Sequence, residues 1–166
     1  MSQTRRLQQS GAPTALEQTS STGLSNQRDP KTVLTFGVFD LFHPGHQFFL
    51  TEAAKLGDRL VVIIARDANV LNRKGQLPVD EEDQRRDNVQ NFVETADLLS
   101  LPRGFDIRLG YEDWSRHLQV LDDVQPDMIA LGYDQLAKLP DGPWQVVRIE
   151  AFKPETYKSS LLRSRL

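Results

Sequence analysis

The chain has 166 residues, a formal net charge of −3 at pH 7 and no cysteine. This length is sufficient for one domain with a hydrophobic core, and the missing thiols exclude disulfides, cysteine nucleophiles and cysteine-based metal centres. The slightly acidic balance argues against nucleic acid as a partner, and no apolar run approaches the ~20 residues of a membrane span. We therefore expect a cytoplasmic enzyme or binding domain without nucleic-acid or membrane partners.

Residues 1–30 differ in composition from the rest of the chain. They are rich in Ser, Thr and Gln, contain few apolar residues and show no periodicity. Such a segment cannot bury enough surface to offset its ordering entropy. We predict a disordered tail over 1–30 and one folded domain over 31–166. The arginines of the tail also fit an organellar transit peptide, but an unstructured extension is the simpler interpretation.

From Thr32 onward, predicted strands and helices alternate. "TVLTFGVF" is typical of a buried strand, "HQFFLTEAAKLG" of a helix with Gly57 as its C-cap, and "DRLVVIIAR" of a strand covered on both faces. A helix is predicted from Glu81 to Glu94, followed by alternating strand and loop around "FDIRLG". "DWSRHLQVLDDV" predicts another helix, "PDMIALG" and "WQVVRIE" predict the last two strands, and "SSLLRSRL" predicts a short terminal helix.

Apolar strands that alternate with helices predict an α/β fold: a single Rossmann-like, doubly wound parallel sheet with helices on both faces. In such sheets, ligands bind beyond the carboxyl ends of the strands, where the strand order reverses. "GVFDLFHPGH", "ARDANV" and "LGYDQ" each follow a predicted strand. We therefore expect these three segments to converge on one site.

Two of the three histidines, His43 and His46, flank Pro44 and Gly45 in "GVFDLFHPGH". A protein zinc site needs three or four ligands, and His117 lies in a separate helical segment, so a metal site is disfavoured. Packing alone does not explain a histidine pair in a turn between strand and helix. A helix that begins near Pro44 offers free N–H groups and a positive dipole end to a phosphate. Gly45 would let the phosphate approach the backbone, and both imidazoles could donate hydrogen bonds to it.

Two further residues of this segment fit a phosphate site. Gly37 would leave the end of the strand open, and Asp40 could orient either a backbone turn or a bound cation. The chain has neither of the common phosphate loops, G-x-x-x-x-G-K-[ST] or G-x-G-x-x-G. P-loop kinases and ordinary dinucleotide dehydrogenases are therefore disfavoured.

The pattern G-x-F-D-x-x-H-x-G-H in a strand–turn–helix context resembles the signature of the cytidylyltransferase-like nucleotidyltransferases. The resemblance implies that His43 and His46 contact the nucleotide phosphates and stabilise the transition state as pyrophosphate leaves. It also implies a set of nucleotide-binding positions in the same segment: Gly37, Val38, Phe39, Asp40 and Gly45.

A second segment, "KPETYKSSLLR", resembles the family's serine-rich phosphate motif. The resemblance places Lys153 where an arginine is usual and makes Ser159 and Ser160 the hydroxyl pair that binds phosphates. Lys158 stands where a small hydroxyl residue is usual, so which cation reaches the phosphates stays open. Without the first motif, a plain N-cap would be the simpler interpretation of the serine pair.

Within this superfamily, the middle of the chain is most similar to the archaeal-type FAD synthases, or FMN adenylyltransferases. The similar segments include "ARDANV", "PDMIALGYDQ" and "VVRIEAFKPE". The resemblance implies that Gly132 and Asp134 bind the nucleotide and that Asp67, Lys74 and Arg85 bind substrate. For any one of these, a turn former or a solvated charge is the simpler alternative.

The resemblance implies ATP and FMN as substrates, FAD as product, and Mg²⁺ bound with the nucleotide rather than in a protein metal site. The residues alone do not determine whether the donor nucleotide carries adenine or cytosine. The alternative is therefore a cytidylyltransferase that joins CTP to glycerol 3-phosphate or phosphoethanolamine. A non-catalytic nucleotide sensor is a second class, although such a protein would have lost one of the two motifs. Because related enzymes are often dimers, a homodimer is also an expectation. Trp114 and Trp144 are expected in the core rather than as stacking platforms.

Overall fold

The computed structural model describes residues 29–96 and 104–166, so the tail predicted over 1–30 lies outside the described residues except for its last two positions. Five strands are present in the described part: β1 (Thr32–Gly37), β2 (Arg59–Ile64), β3 (Phe105–Leu109), β4 (Met128–Gly132) and β5 (Gln145–Ile149). They form one parallel sheet in the order β3-β2-β1-β4-β5. The five predicted strands and the parallel sheet are confirmed, and the strand order reverses between β1 and β4.

The described helices are α1 (Pro44–Ala54), α2 (Asp67–Lys74), α3 (Glu82–Thr95), α4 (Gln119–Val124) and α5 (Ser159–Arg163). The predictions for α1, α3 and α5 are confirmed. The single helix predicted over "DWSRHLQVLDDV" is instead a 3₁₀ turn over Trp114–Arg116 followed by α4. Among these helices, none has the length and apolar character that a membrane crossing requires.

Helices cover both faces of the sheet. Successive residues of a strand point to opposite faces, and the buried residues of β1 and β2 accordingly divide between two cores. Helices α1 and α3 complete the first core, which includes Val33, Leu50, Leu60, Val62 and Val89. Helix α4 completes the second core, which includes Leu34, Val61, Ile63, Val120, Leu121 and Val124. The doubly wound architecture is confirmed.

The end of α1 differs from the prediction. The helix stops at Ala54, and its C-cap is Lys55 in a right-handed conformation. Gly57 therefore does not cap the helix. A Cβ on Gly57 would lie 2.7 Å from the carbonyl oxygen of Lys31 and 2.7 Å from a methyl carbon of Val33. Glycine is needed there because another chain segment passes close by, and not because of a left-handed backbone.

Candidate active site at the carboxyl edge of the sheet

A cleft of about 1760 Å³ lies at the carboxyl edge of the sheet. Residues that follow each of the five strands line this cleft, including Val38, Arg66, Gly110, Tyr133 and Ala151. The three segments expected to converge, "GVFDLFHPGH", "ARDANV" and "LGYDQ", all contribute to its walls, so that prediction is confirmed. The cleft spans the reversal of strand order between β1 and β4, where ligands of doubly wound sheets bind.

The loop between β1 and α1 has an unusual backbone. Phe39 and Leu41 have φ angles of 55° and 49°, in the left-handed region that residues with a side chain rarely adopt. Such a conformation persists only where surrounding contacts hold it. The ring of Phe39 folds back over Gly37, where a Cβ would lie 2.9 Å from the ring carbon Cε2. Gly37 therefore makes room for Phe39, in addition to any room it leaves for a ligand.

Asp40 holds the β1–α1 loop in place. Its Oδ1 accepts hydrogen bonds from the backbone N–H groups of Val79 at 2.9 Å and Asp80 at 3.0 Å, and its Oδ2 accepts one from Arg163 Nη2 at 2.6 Å. Burial would by itself raise the pKa of Asp40, but the bonds from Asp80, Arg163 and Val79 outweigh it and hold the pKa below the usual 3.8. Of the two predicted roles, Asp40 therefore fills the orienting one, and both of its oxygens are occupied.

His43 is the N-cap of α1 and uses both ring nitrogens. Its Nδ1 accepts a hydrogen bond from the N–H of Gly45 at 3.1 Å, so neutral His43 carries its hydrogen on Nε2. That Nε2 lies 3.2 Å from Ser159 Oγ, which in turn donates to the carbonyl oxygen of Asp40 at 3.1 Å. One imidazole thus connects the start of α1 to α5.

The second histidine packs directly on the first. The rings of His43 and His46 stack with their centroids 3.8 Å apart and their planes 20° apart, and Phe39 and Phe42 also contact the His46 ring. His46 Nδ1 is buried without a hydrogen-bond partner among the described residues. Burial, and then the proximity of His43, lower the pKa of His46 to about 3, while burial lowers that of His43. Both rings are therefore neutral at pH 7 and act as hydrogen-bonding groups rather than as cations.

The start of α1 corrects one prediction. Its N–H groups are not free: Gly45 N–H donates to His43 Nδ1, and His46 N–H donates to the His43 carbonyl at 2.9 Å. A Cβ on Gly45 would lie 2.9 Å from His43 Cε1 and 3.1 Å from the carbonyl oxygen of Tyr157. Gly45 is therefore required because the capping imidazole and the Tyr157 carbonyl leave no room for a side chain. It also lines the cleft, and its predicted contact with phosphate stays a prediction.

Arg85 does not contact the cleft, which corrects its predicted role in substrate binding. Its side chain is fully buried. Its guanidinium donates to the carbonyl oxygens of Asp80 at 3.0 Å, Ala65 at 2.8 Å and Val38, and to Asp67 Oδ1 at 2.6 Å. These partners come from the loops after β1 and β2, from α2 and from the residues before α3. Arg85 therefore positions the walls of the cleft.

Asp67 also has a structural role, and its predicted contact with substrate stays a prediction. Its Oδ2 accepts from the N–H of Glu82 at 3.2 Å, while Glu82 Oε2 accepts from the N–H of Asp67 at 2.7 Å. Each carboxylate therefore caps the first turn of the other's helix, α2 or α3. Asp67 is absent from the lining of the cleft.

The two lysines of the serine-rich segment differ in their position relative to the cleft. Lys158 lines it and forms a 3.1 Å ion pair with Asp134, whereas Lys153 does not line it. Lys153 instead places its ammonium 5.5 Å from the ring centroid of Phe152, and its predicted contact with substrate stays a prediction. Lys74 does line the cleft, and burial lowers its pKa, with a further contribution from neighbouring Arg73.

The loop after β4 is tied to β1. Gln135 Oε1 accepts from the N–H of Gly132 at 3.2 Å, and Gln135 Nε2 donates to the carbonyl oxygen of Phe36 at 2.8 Å. Gly132 and Asp134 both line the cleft, as do Ser159 and Ser160. The Ser160 hydroxyl has no hydrogen-bond partner in the described part of the chain, so it is available to a ligand.

Three cleft residues, Arg163, Trp114 and His117, were missed or misplaced in the predictions from the sequence. Arg163 lines the cleft and binds Asp40; the signal was its spacing of four residues from Ser159, which puts both side chains on one face of α5. Trp114, expected in the core, lines the cleft with 46% of its surface exposed. His117, expected in a separate segment, stacks on Trp114. Trp144 packs against the core beneath α4, as expected.

Comparisons with known proteins give a consistent set of relatives. A family model described as cytidylyltransferase-like matches residues 34–161. Three curated proteins named FAD synthase are similar over 103, 103 and 107 residues: those of Aciduliprofundum boonei (45% identical), Methanosarcina acetivorans (43%) and Natrialba magadii (42%). These matches cover 62%, 62% and 64% of this chain, but only 61%, 60% and 64% of the relatives. The chain thus matches less than two thirds of each relative's length.

A solved structure shows the same architecture. The lipopolysaccharide core biosynthesis protein from Thermoplasma volcanium superimposes with a TM-score of 0.58 and is 29% identical in sequence. The match covers 75% of this chain and 99% of that chain.

Proposed function

Because this chain belongs to the cytidylyltransferase-like family, we propose that it is a nucleotidyltransferase that transfers AMP from ATP to FMN, giving FAD and pyrophosphate. The observation that carries the proposal is the pair of stacked, neutral imidazoles at the end of β1, with His43 Nε2 within 3.2 Å of Ser159 Oγ in the cleft. The choice of ATP and FMN is supported by the relatives named FAD synthase.

The reaction requires no protein nucleophile. A phosphate oxygen of FMN attacks the α-phosphorus of ATP in line, the new P–O bond forms, and the bond from the α-phosphorus to the bridging oxygen breaks as pyrophosphate leaves. Catalysis then consists of positioning the two substrates and stabilising the charge that develops on the phosphoryl oxygens.

The histidine pair provides that stabilisation. The Nε2–H of His43 can donate to a phosphate oxygen that displaces Ser159 Oγ or lies beside it, and the neighbouring His46 provides the second imidazole. Neutral donors suit this role because they need no proton exchange with solvent and do not repel each other when stacked. Asp40, Gly37 and Gly45 act indirectly, by fixing the loop that holds both rings.

The serine-rich segment holds the leaving group. Ser159 already contacts His43, while Ser160 presents an unpaired hydroxyl to the cleft, and Lys158 adds a positive charge beside them. The backbone of Val38 and Phe39 and the β4 loop at Gly132 and Asp134 complete the nucleotide site.

A resident metal ion does not fit the residues of this site. Among the described residues, no group of three or more His, Cys, Asp or Glu could hold a metal ion. Asp40, the one carboxylate placed inside the β1–α1 loop, has both oxygens occupied by donors. We therefore propose that Mg²⁺ accompanies the nucleotide phosphates rather than occupying a protein site. A homodimer stays an expectation of the resemblance, and a cytoplasmic location and the absence of nucleic-acid partners stay expectations from composition and charge.

The test is a substrate panel. Purified protein is incubated with ATP or CTP, each against FMN, glycerol 3-phosphate and phosphoethanolamine, and pyrophosphate release and the nucleotide product are measured. We expect turnover only for ATP with FMN, with FAD as product. Turnover of CTP with either other acceptor would assign the alternative cytidylyltransferase activity, and no pyrophosphate from any pair would indicate a nucleotide sensor.

A further inference from the structure

An aromatic surface lies in the cleft beside the end of β3, the edge strand of the sheet. Trp114 follows β3, is 46% exposed and lines the cleft. One face of its indole is covered by the ring of His117, with centroids 4.1 Å apart and planes 1° apart. A large apolar ring that is stacked on one side and exposed on the other is poorly explained as core packing.

The surface is rigid. Asp113 Oδ1 accepts from the N–H of Ser115 at 2.8 Å, and His117 Nδ1 donates to the carbonyl oxygen of Trp114 at 2.6 Å, so the 3₁₀ turn is fixed at both ends. Arg116 lies with its guanidinium 4.5 Å from the ring centroid of Tyr111. A preorganised indole can stack on a planar ligand with little loss of conformational entropy.

The strand order indicates which substrate this surface faces. In an in-line transfer, the acceptor oxygen and the departing pyrophosphate lie on opposite sides of the α-phosphorus. The serines proposed to hold pyrophosphate lie beside His43 at the end of β1, where Ser159 Oγ is 3.2 Å from His43 Nε2, whereas Trp114 follows β3, two strands away at the edge of the sheet. The acceptor therefore approaches from the side of Trp114.

The dimensions and charges on that side suit a flavin mononucleotide. Adjacent strands are ~4.8 Å apart, so β3 lies roughly 10 Å from β1, comparable with the length of the ribityl chain that separates the flavin ring from its phosphate. Arg73 and Lys74 line the cleft at the end of α2, which follows the intervening strand β2. Neither has an ion pair or side-chain hydrogen bond among the described residues, so both are available to the acceptor phosphate.

We propose that the exposed face of Trp114, backed by His117, stacks on the isoalloxazine ring of the acceptor and selects a planar aromatic acceptor over a small phosphorylated alcohol. This inference rests on the proposed function, since it assigns a site to the second substrate of that reaction. Glycerol 3-phosphate and phosphoethanolamine have no ring that could use the surface.

The experiment compares Trp114→Ala and Trp114→Phe with the native protein and with Trp144→Phe, a matched control because Trp144 packs beneath α4 and does not line the cleft. FMN is titrated with each protein in the presence of α,β-methylene ATP, which cannot release pyrophosphate. Flavin emission is recorded, since stacking on indole quenches it. KM values for FMN and ATP are measured separately.

We expect saturable quenching by the native protein and by Trp144→Phe, and its loss in Trp114→Ala. We also expect Trp114→Ala to raise KM for FMN about ten- to hundredfold, the usual range for losing an aromatic stacking partner, with KM for ATP unchanged. The KM for FMN of Trp114→Phe should lie between those of the native protein and Trp114→Ala. The circular dichroism of Trp114→Phe should match that of the native protein.

The outcomes separate this inference from the proposed function. FAD synthesis with unchanged KM for FMN in Trp114→Ala would overturn the inference and leave the function standing. A rise in KM for ATP instead of FMN would also overturn it, because the surface would then hold the nucleotide base. Quenching that requires Trp114, in a protein that makes no FAD, would support the flavin site and overturn the function.

Discussion

A single side chain, His43, sets the geometry of the candidate active site. It caps α1 through Nδ1 and reaches Ser159 through Nε2, and its ring supports His46. These contacts fix the tautomer, because a nitrogen that accepts from a backbone N–H cannot carry a hydrogen. The hydrogen-bonding ability of the pair is therefore built into the backbone of the β1–α1 turn.

Burial of His46 predicts a specific dependence of stability on pH. The pKa of His46 in the folded protein, about 3, lies below the usual 6.5. Below pH 6.5, His46 therefore becomes protonated in the unfolded chain but stays neutral in the folded one. His46 therefore causes no loss of stability above pH 6.5 and a loss of up to about 1.4 kcal/mol per pH unit as the pH falls toward 3. The measurement is urea unfolding of the native protein and His46→Ala between pH 7 and 5.

The variant should show a shallower decline in the free energy of unfolding over that range. Restricting the comparison to pH values above 5 avoids the titration of most carboxylates. Equal slopes for the two proteins would mean that His46 titrates normally in the folded state.

At the scale of elements, Arg85 joins α3 to the loops beside it. Replacing it with Met would leave three carbonyl oxygens and the Asp67 carboxylate without their donor, and breaking a buried charged network costs about 3–5 kcal/mol. The adjacent Arg86 is partly exposed, and among the described residues its ion pairs are with Asp83 and Asp87. Arg86→Met is therefore the matched control and should cost under about 1 kcal/mol. Denaturant unfolding of both variants measures the difference. Similar losses in the free energy of unfolding would show that the buried contacts of Arg85 contribute little to stability.

Helix α5 depends on its contacts with the β1–α1 loop. A helix of five residues is not stable alone, and it is held by Arg163, which binds Asp40 Oδ2 at 2.6 Å and the Leu77 carbonyl at 2.9 Å. We expect Arg163→Gln to lower kcat about tenfold or more, because the serine pair would lose its position. Arg165 lies two residues further along and has no side-chain contact with the described residues, so Arg165→Gln should leave kcat nearly unchanged.

A double-mutant cycle with Asp40→Asn distinguishes positioning from general destabilisation. If Arg163 acts through Asp40, the losses in kcat from the two single variants should not add. Additive losses, with the fold intact by circular dichroism, would contradict the coupling.

At the scale of the whole molecule, continuous apolar strands were enough to predict the parallel sheet and the edge at which the site lies. Helix α2 was not predictable in the same way, because Val70 is its only buried residue and five of its eight residues are polar. The position of Trp114 was also ambiguous, since Trp114, Leu118 and Leu121 have helical spacing whether or not the tryptophan reaches the core. Its exposure follows from the break between the 3₁₀ turn and α4.

The histidine motif indicated the chemistry, but residue types alone did not separate contact residues from supporting ones. Arg85 was expected at the substrate, although its spacing from Val89 and Val93 places it on the buried face of α3. That spacing was the feature of the sequence that could have indicated a buried Arg85. The ion pair of Arg163 with Asp40 joins positions 123 residues apart. A pair at that separation cannot be predicted from a local sequence pattern.

The central claim is that the His43–His46 pair stabilises the transition state of adenylyl transfer. The most direct measurement is kcat for FAD formation from ATP and FMN by the native protein and His46→Ala, with circular dichroism to establish that both are folded. The claim predicts a fall of at least about a hundredfold, the typical effect of losing one donor to a developing oxyanion. A folded His46→Ala protein that retains kcat within about threefold of the native value would contradict it.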